Sequence, residues 1–348
     1  MTFYLDQAAG RIINTDKGEF LYFGGTSYLG LQYDPEFQET LIENIKKYGT
    51  NFGASRKANI RLSVFEEFED FIAGKTNCED AICVSSGFLA GRMLLHYFSS
   101  KNYQQFCAPN THPALIGRES RLFDKYSALE QEITAENTSE KETVLFLDSI
   151  DFDGNNFPDF EWLEKINLEN TILVIDDSHG FGLIGEDGFG LNYYLKKLKP
   201  KELIICGSLG KALATPCGII SGSKKRINDL RNLGFYGGGS PPSPAALQTL
   251  LDSEILVKDR IRKVRKHIEN FNSLTSAEFE AVRLPVHPVF TYENEKLTDH
   301  LFSENIITTN FHYPLPESPL LSKIVLSGGH TSEDIQKLIQ SINKFYSK

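Results

Sequence analysis

The chain has 348 residues, 41% of them hydrophobic, enough to bury one large core or two smaller ones. Its net charge of −10, with no basic tract, argues against nucleic acid or an anionic membrane as partner. The five cysteines (Cys78, Cys83, Cys107, Cys206 and Cys217) are odd in number and form no CxxC pair, so they read as free thiols of a reducing cytoplasm and no metal site is expected.

The opening stretch "MTFYLDQAAGRII" lacks a basic n-region and an apolar h-region, so no secretory signal is expected, and no apolar run approaches the ~20 residues of a membrane span. Asp34 before Pro35 is placed to cap a helix running to about Lys47. "SVFEEFEDFIAGK" opens on Ser63 with Glu66 three places on, the spacing of a capping box. Phe65, Phe68, Phe71 and Ile72 then recur at helical spacing, and Gly74 stands where a C-terminal cap belongs.

The runs "AICV" (81–84), "TVLFLD" (143–148), "TILVID" (171–176) and "ELIIC" (202–206) are apolar without alternation, as in strands covered on both faces of a parallel sheet. "FEWLEKI" and "LNYYLKKLK" between them are long enough for crossover helices. After Pro241-Pro242 one long helical pattern, "PAALQTLLDSEILVKDRIRKVRKHIENFNSL", leads to shorter strand candidates, "PVHPVFTY" and "SKIVLS", and a last helix, "SEDIQKLIQSINKFY". The expected fold class is α/β: a large domain over 40–240 with a mostly parallel central sheet, and a smaller α+β domain formed by both termini, 1–39 with 241–348.

Open parallel sheets bind ligands at the carboxyl ends of their strands, which directs attention to four places. "SSGF" leaves the first run into a helix, and small residues there offer free N–H groups and a positive dipole end to a phosphate; the plain alternative is a strand-to-helix turn. "APNTHPAL" puts His112 in a loop, as polar surface or as a flat ring to stack on an aromatic ligand. "IDDSHGFGLIGEDGFG" sets Asp176 and His179 three residues apart, either as a cap and a loop residue or as a buried carboxylate facing a cationic heterocycle with an imidazole beside it. "ICGSLGKALATPCG" surrounds Lys211 with Gly207, Ser208, Gly210 and Ala212, and Ala212 after the Gly-Lys pair excludes a GxxxxGK[ST] nucleotide loop. Taken alone Lys211 reads as a surface lysine. Taken with the other three places, it is the amine that binds an electrophile. A phosphate cradle, a ring stacker, a carboxylate for a ring nitrogen and a Schiff-base lysine are together what pyridoxal 5′-phosphate requires.

The order of these parts resembles the fold-type I pyridoxal-phosphate enzymes. "SYLGL" (27–31), "YGTNFGASR" (48–56), "SSGF", "NTHPAL", "DDSHGFGLIGEDGFG", "GSLGKA" and "LSGGHTSEDI" (326–335) follow one another as in the α-oxoamine synthases, and the similarity spans nearly the whole chain. That resemblance implies a Schiff base on Lys211, Asp176 on the pyridine nitrogen, His179 at the ring hydroxyl and His112 on the ring face. Ser86, Gly87, Phe88 and Ser208 would lie at the phosphate, and Ser240 of "GGGSPPSP" would reach the phosphate of a neighbouring subunit, which implies a homodimer with shared active sites. The implied reaction condenses an amino acid with an acyl-CoA or other acyl thioester, with decarboxylation to an α-amino ketone, as in 8-amino-7-oxononanoate synthase. An aminotransferase or decarboxylase on the same fold, or a Cys–His hydrolase using Cys107 or Cys206, are the alternatives. Lys323 in "SKIVLSGGHT" stands where the family has a carboxylate-binding arginine, and Ser27 where it has an asparagine, so these two are the candidate substrate residues. Ile60, Leu62, Phe65 and Asp151 also depart from the family pattern.

Overall fold

The computed structural model describes residues 2–101, 103–136, 141–195, 197–312 and 316–347. They form two compact units, Met1–Gln38 with Phe152–Gly154 and Ile255–Lys348, and Glu39–Asp151 with Asn155–Glu254.

The smaller unit is built on a six-stranded sheet. Strands β1 (Ile12–Thr15) and β2 (Gly18–Phe23) form a hairpin at one edge. The sheet order continues from β2 through β12 (Ile306–His312), β13 (Leu320–Val325), β11 (Val289–Thr291) and β10 (Val282–Arg283), with β2 and β12 parallel and the other pairs antiparallel. Helix α11 (Ser332–Tyr346) starts at a true capping box between Thr331 and Asp334 and buries Ile335, Leu338, Ile339 and Ile342, the three-four spacing of an amphipathic face. Asp334 also accepts Arg11 Nε at 2.7 Å, which ties the N-terminal segment to the C-terminal helix. Beside it His330 is locked in one tautomer: Nδ1 accepts the Ser327 N–H at 2.9 Å, so Nε2 donates to the Tyr22 carbonyl at 3.0 Å.

The large unit carries a seven-stranded sheet in the order β3 (Asp80–Val84), β9 (Gly218–Gly222), β8 (Glu202–Ser208), β7 (Thr171–Asp176), β6 (Thr143–Asp148), β4 (Gln104–Cys107) and β5 (Arg121–Leu122). All neighbours run parallel except β9, which is antiparallel to both β3 and β8. Helix α3 (Gly87–Ser99) covers one face, where Met93, Leu94, Tyr97 and Phe98 pack against Val84, Phe146, Val174 and Ile204. These strands are buried on both sides, hence their unbroken apolar runs.

Three local expectations are corrected. Helix α1 (Pro35–Tyr48) is capped by Asp34, whose Oδ1 accepts the N–H groups of Glu36 and Phe37, but α2 (Val64–Thr76) has no capping box. Ser63 is itself helical (φ −60°, ψ −31°), so its hydroxyl cannot turn onto the first free N–H groups. The helix also runs past Gly74 and ends on Asn77, a residue that tolerates the left-handed conformation (φ 53°). "FEWLEKI" forms a 3₁₀ turn, Glu161–Lys165, and "LNYYLKKLK" only the short α5 (Leu191–Leu195), which follows α4 (Tyr126–Glu136). In the first of these crossovers, side-chain bonds stand in for a helix: Asn156 Nδ2 donates to the Asp148 carbonyl at 2.7 Å, and its Oδ1 accepts Trp162 Nε1 at 2.8 Å.

The long pattern over 244–274 is two helices. After α6 (Lys224–Arg231) and α7 (Gly234–Gly238), α8 (Pro244–Asp252) is separated from α9 (Glu254–Leu274) by Ser253 (φ −103°, ψ 15°). Asn44 holds α8 to α1 through Thr249 Oγ1 and Asp252 Oδ2, so residues 241–254 belong with the large unit and not with the small domain expected from 241 onward. Conversely, Phe152–Gly154 falls in the smaller unit, as does α10 (Glu295–Ser303).

Candidate active site

Two strands of the large unit end in register, Asp148 of β6 opposite Asp176 of β7, and Asp176 is paired in turn with Cys206, two residues before the end of β8. Register partners in a parallel pair point to the same face, and Cys206 packs within the core under α3, so both carboxylates open on that side. Asp176 is 5% exposed, and its Oδ1 accepts the Ser178 N–H at 2.9 Å as the chain leaves the sheet. Ser178 Oγ in turn accepts the Ser208 N–H at 2.8 Å and so fastens the ends of β7 and β8 together. A Cβ on Gly207 would stand 2.7 Å from the Ser178 nitrogen, which is why the approach needs glycine (φ 153°).

Lys211 lies in the loop after β8, which closes on itself through Leu209 N–H to Cys217 O at 2.9 Å and Thr215 N–H to Leu209 O at 3.1 Å. Burial pushes its ammonium below the usual lysine range, while Asp176 and Asp148 pull it back up. His112 stands close enough to feel both Asp176 and Lys211, and burial leaves its imidazole below the ordinary value, a neutral ring. Its Nδ1 accepts the Ala114 N–H at 3.2 Å, which puts the ring proton on Nε2.

At the end of β3, Ser86 caps α3 by accepting the Leu89 N–H at 3.1 Å, and the chain there is packed without slack. A Cβ on Gly87 would lie 2.6 Å from Ser208 Cβ, and one on Gly218 only 2.0 Å from the Ser86 carbonyl oxygen. Backbone can therefore approach backbone at the N-terminus of a 13-residue helix, a ready anion cradle. Phe88, 55% exposed, presents its edge to the His112 ring at 6.4 Å between centres.

The structure thus brings Ser86, Gly87 and Ser208 together at one strand end and His112, Asp176 and Lys211 at another, with half-buried His179 on the turn after Asp176. Ser240 is exposed in the loop between α7 and α8. Ser27 and Lys323 lie in the smaller unit. There the Ser27 carbonyl accepts Ser327 Oγ at 2.8 Å, and Lys323, on β13 and 9% exposed, points its Nζ at the Phe152 ring, 3.3 Å from the centroid. Burial lowers the Lys323 ammonium to about 8, against the pull of Asp153.

Two residues escaped the sequence reading. Asp148 had a signal, since "TVLFLD" ends on an acid just as "TILVID" does. Phe152 had none, because nothing local announces a left-handed phenylalanine (φ 61°). Cys107 and Cys206 are buried thiols pushed upward, Cys107 to about 11, so neither offers the thiolate that a Cys–His hydrolase needs. An open cavity of about 790 Å³ beside α2 holds none of the site residues; its floor is already neutralised by the pairs Arg56–Glu69 and Arg231–Asp80.

These features fit pyridoxal 5′-phosphate: a depressed lysine amine beside a buried carboxylate, a neutral imidazole, and a helix N-terminus whose glycine admits no side chain. They define a fold-type I pyridoxal-phosphate enzyme. Residues 123–342 match the aminotransferase class I and II family. A putative 8-amino-7-oxononanoate synthase of Thermodesulfovibrio yellowstonii is 25% identical over 96% of this chain and 90% of its own length. A serine palmitoyltransferase of Bacteroides ovatus is 24% identical over 94% of this chain and 88% of its own. Among solved structures, a serine palmitoyltransferase from S. paucimobilis with a bound PLP–myriocin aldimine superposes with a TM-score of 0.81 at 14% identity, covering 99% of this chain and 92% of that one. The chain belongs to the aminotransferase class I and II family and is a transferase whose cofactor is pyridoxal phosphate.

Proposed function

We propose that the enzyme condenses an amino acid with an acyl-CoA or other acyl thioester, with loss of CO₂, to give an α-amino ketone, in the manner of 8-amino-7-oxononanoate synthase. The observation that carries this reading is the meeting of Lys211, Asp176 and His112 at adjoining strand ends. It stands in a chain whose relatives, named as two different α-oxoamine synthases, align over almost all of it.

When bound, pyridoxal phosphate supplies an aldehyde for the amino group and a ring that accepts the electron pair left on the α-carbon. Lys211 Nζ would be the amine that holds this aldehyde, and once free it would serve as the base for the α-carbon proton, a task suited to an amine whose burial lowers its basicity. The Asp176 carboxylate would hold the ring nitrogen, His179 the ring hydroxyl and His112 the ring face. Ser86, the N–H groups of Gly87 and Phe88, and Ser208 would hold the phosphate. Ser240 would serve the site of a second copy, so that the working form would be a homodimer, and the five free thiols suit a cytoplasmic setting. Lys323 would offer the substrate carboxylate a point charge, and Ser27 is the second candidate substrate residue.

The test is a screen of amino acids for shifts in the bound-cofactor spectrum, followed by acyl thioesters of graded chain length. Condensation releases free CoA thiol and CO₂ in equal amounts. An amine form of the cofactor accumulating in a single turnover, without thiol release, would identify an aminotransferase instead.

A further inference from the structure

Asp148, the last residue of β6, carries a carboxyl for which the proposed reaction has no task. It stands beside Asp176 in the strand register, and its Oδ1 accepts the main-chain N–H of His112 at 2.9 Å. The ionisable groups that face it are Asp176 from β7, Lys211 and Cys206 from the end of β8, Asp151 from the loop beyond β6, and His112 and Cys107 from the β4 side.

The loop that carries His112 is also held at its base and at its tip. At the base Thr111 Oγ1 donates to the carbonyls of Ala108 at 2.7 Å and Phe146 at 3.2 Å. At the tip the ring's own Nδ1 accepts from Ala114. The His112 carbonyl accepts the Leu115 N–H at 2.9 Å within the same loop, whereas the N–H given to Asp148 ties the residue from which the ring departs to the end of β6. We propose that Asp148 is a positioning residue, holding the His112 ring against the cofactor through this main-chain hydrogen bond.

The inference rests on the cofactor site described above. It also accounts for two acids standing side by side. Burial and the neighbouring Asp176 raise the Asp148 carboxyl well above the carboxylate range, more than the His112 N–H and Lys211 lower it. Pushed toward its neutral form, Asp148 still offers an oxygen to the N–H.

The experiment titrates the full-length protein with pyridoxal phosphate and follows the bound chromophore in wild type, Asp148→Val, Asp148→Asn, His112→Ala and the Asp148→Val/His112→Ala pair. Asp148→Val is expected to weaken cofactor binding about tenfold, the equivalent of one buried hydrogen bond. Asp148→Asn keeps an oxygen for the N–H and is expected to restore binding, with the pH at which the chromophore changes colour left in place. In the His112→Ala background Asp148→Val is expected to cost nothing more, because its effect passes through that ring. Should Asp148→Val be insoluble, Asp148→Ser, too short to reach the N–H, takes its place with the same expectations. Wild-type affinity in the valine or serine variant, no rescue by asparagine, or additive losses in the pair each overturn the inference while the cofactor site stands. A wild-type protein that forms no chromophore overturns the site itself, and this inference with it.

Discussion

The two units handle buried charge in opposite ways. At the strand ends of the large unit, Lys211 sits within the influence of Asp176 and Asp148, so one buried charge supports another. In the smaller unit Lys323 meets an aromatic face and the pull of one acid, and burial keeps His330 neutral against the pull of its bond to the Tyr22 carbonyl. Burial lowers all three cations, and two acids oppose it at Lys211 where one opposes it at Lys323. Acid sensitivity of the fold and a titration near pH 8 are therefore expected from His330 and Lys323 in the smaller unit, and the chemistry from the larger.

The largest effect is expected on the compensated side. Lys211→Ala should lower kcat by on the order of 10²–10⁴-fold, the range of a lost acid–base group, with far-UV circular dichroism unchanged. Retained turnover would mean that the amine at this strand end has no chemical role.

The uncompensated side predicts an acid-labile fold. Burial drives His330 to about 4 in the native state, below its ordinary 6.5. Between those values the unfolded chain binds more protons than the native one, so stability is complete above about pH 6.5 and falls as pH drops toward 4. The loss amounts to about 3 kcal/mol for this one group, read from denaturant midpoints. His330→Gln should flatten that slope, and an unchanged slope would place the acid sensitivity elsewhere.

A third expectation tests whether the phosphate end depends on close backbone approach. Gly218→Ala places a methyl group 2.0 Å from the Ser86 carbonyl, which should cost about 1–3 kcal/mol of stability and weaken cofactor binding in the same variant. Unchanged Tm and Kd would show that the strand end can yield. The smallest effect concerns Lys323. Lys323→Met should raise KM for the amino acid about tenfold with little change in kcat, the low end of a charge-assisted hydrogen bond. In the unsubstituted enzyme that KM should rise as pH climbs through about 8, where Lys323 loses its proton. A flat KM profile across that range would remove Lys323 from the substrate site.

The sequence showed the large unit more plainly than the small one, for a physical reason. A strand buried on both faces must be apolar throughout, so the residue that ends the run and meets a ligand stands out, as Asp176 does after "TILVI". Lys211 was legible because its neighbours are small where a solvated lysine needs no such setting. Interactions between distant segments left no trace of that kind. The hydrophobic period runs unbroken from 244 to 274 although Ser253 divides it, because periodicity records a buried face and not the change of partner behind it. Ser63 and Glu66 have the spacing of a capping box, yet the backbone at Ser63 is already helical. Nothing near Lys323 in the chain announces the phenyl ring that covers it.

The account stands or falls on where the cofactor attaches. Borohydride reduction of the pyridoxal-phosphate-loaded protein, followed by peptide mass mapping, should place the reduced adduct on Lys211 and find none there in Lys211→Ala. An adduct confined to another lysine, or no adduct in a protein that is fully folded and saturated with the cofactor, would contradict it.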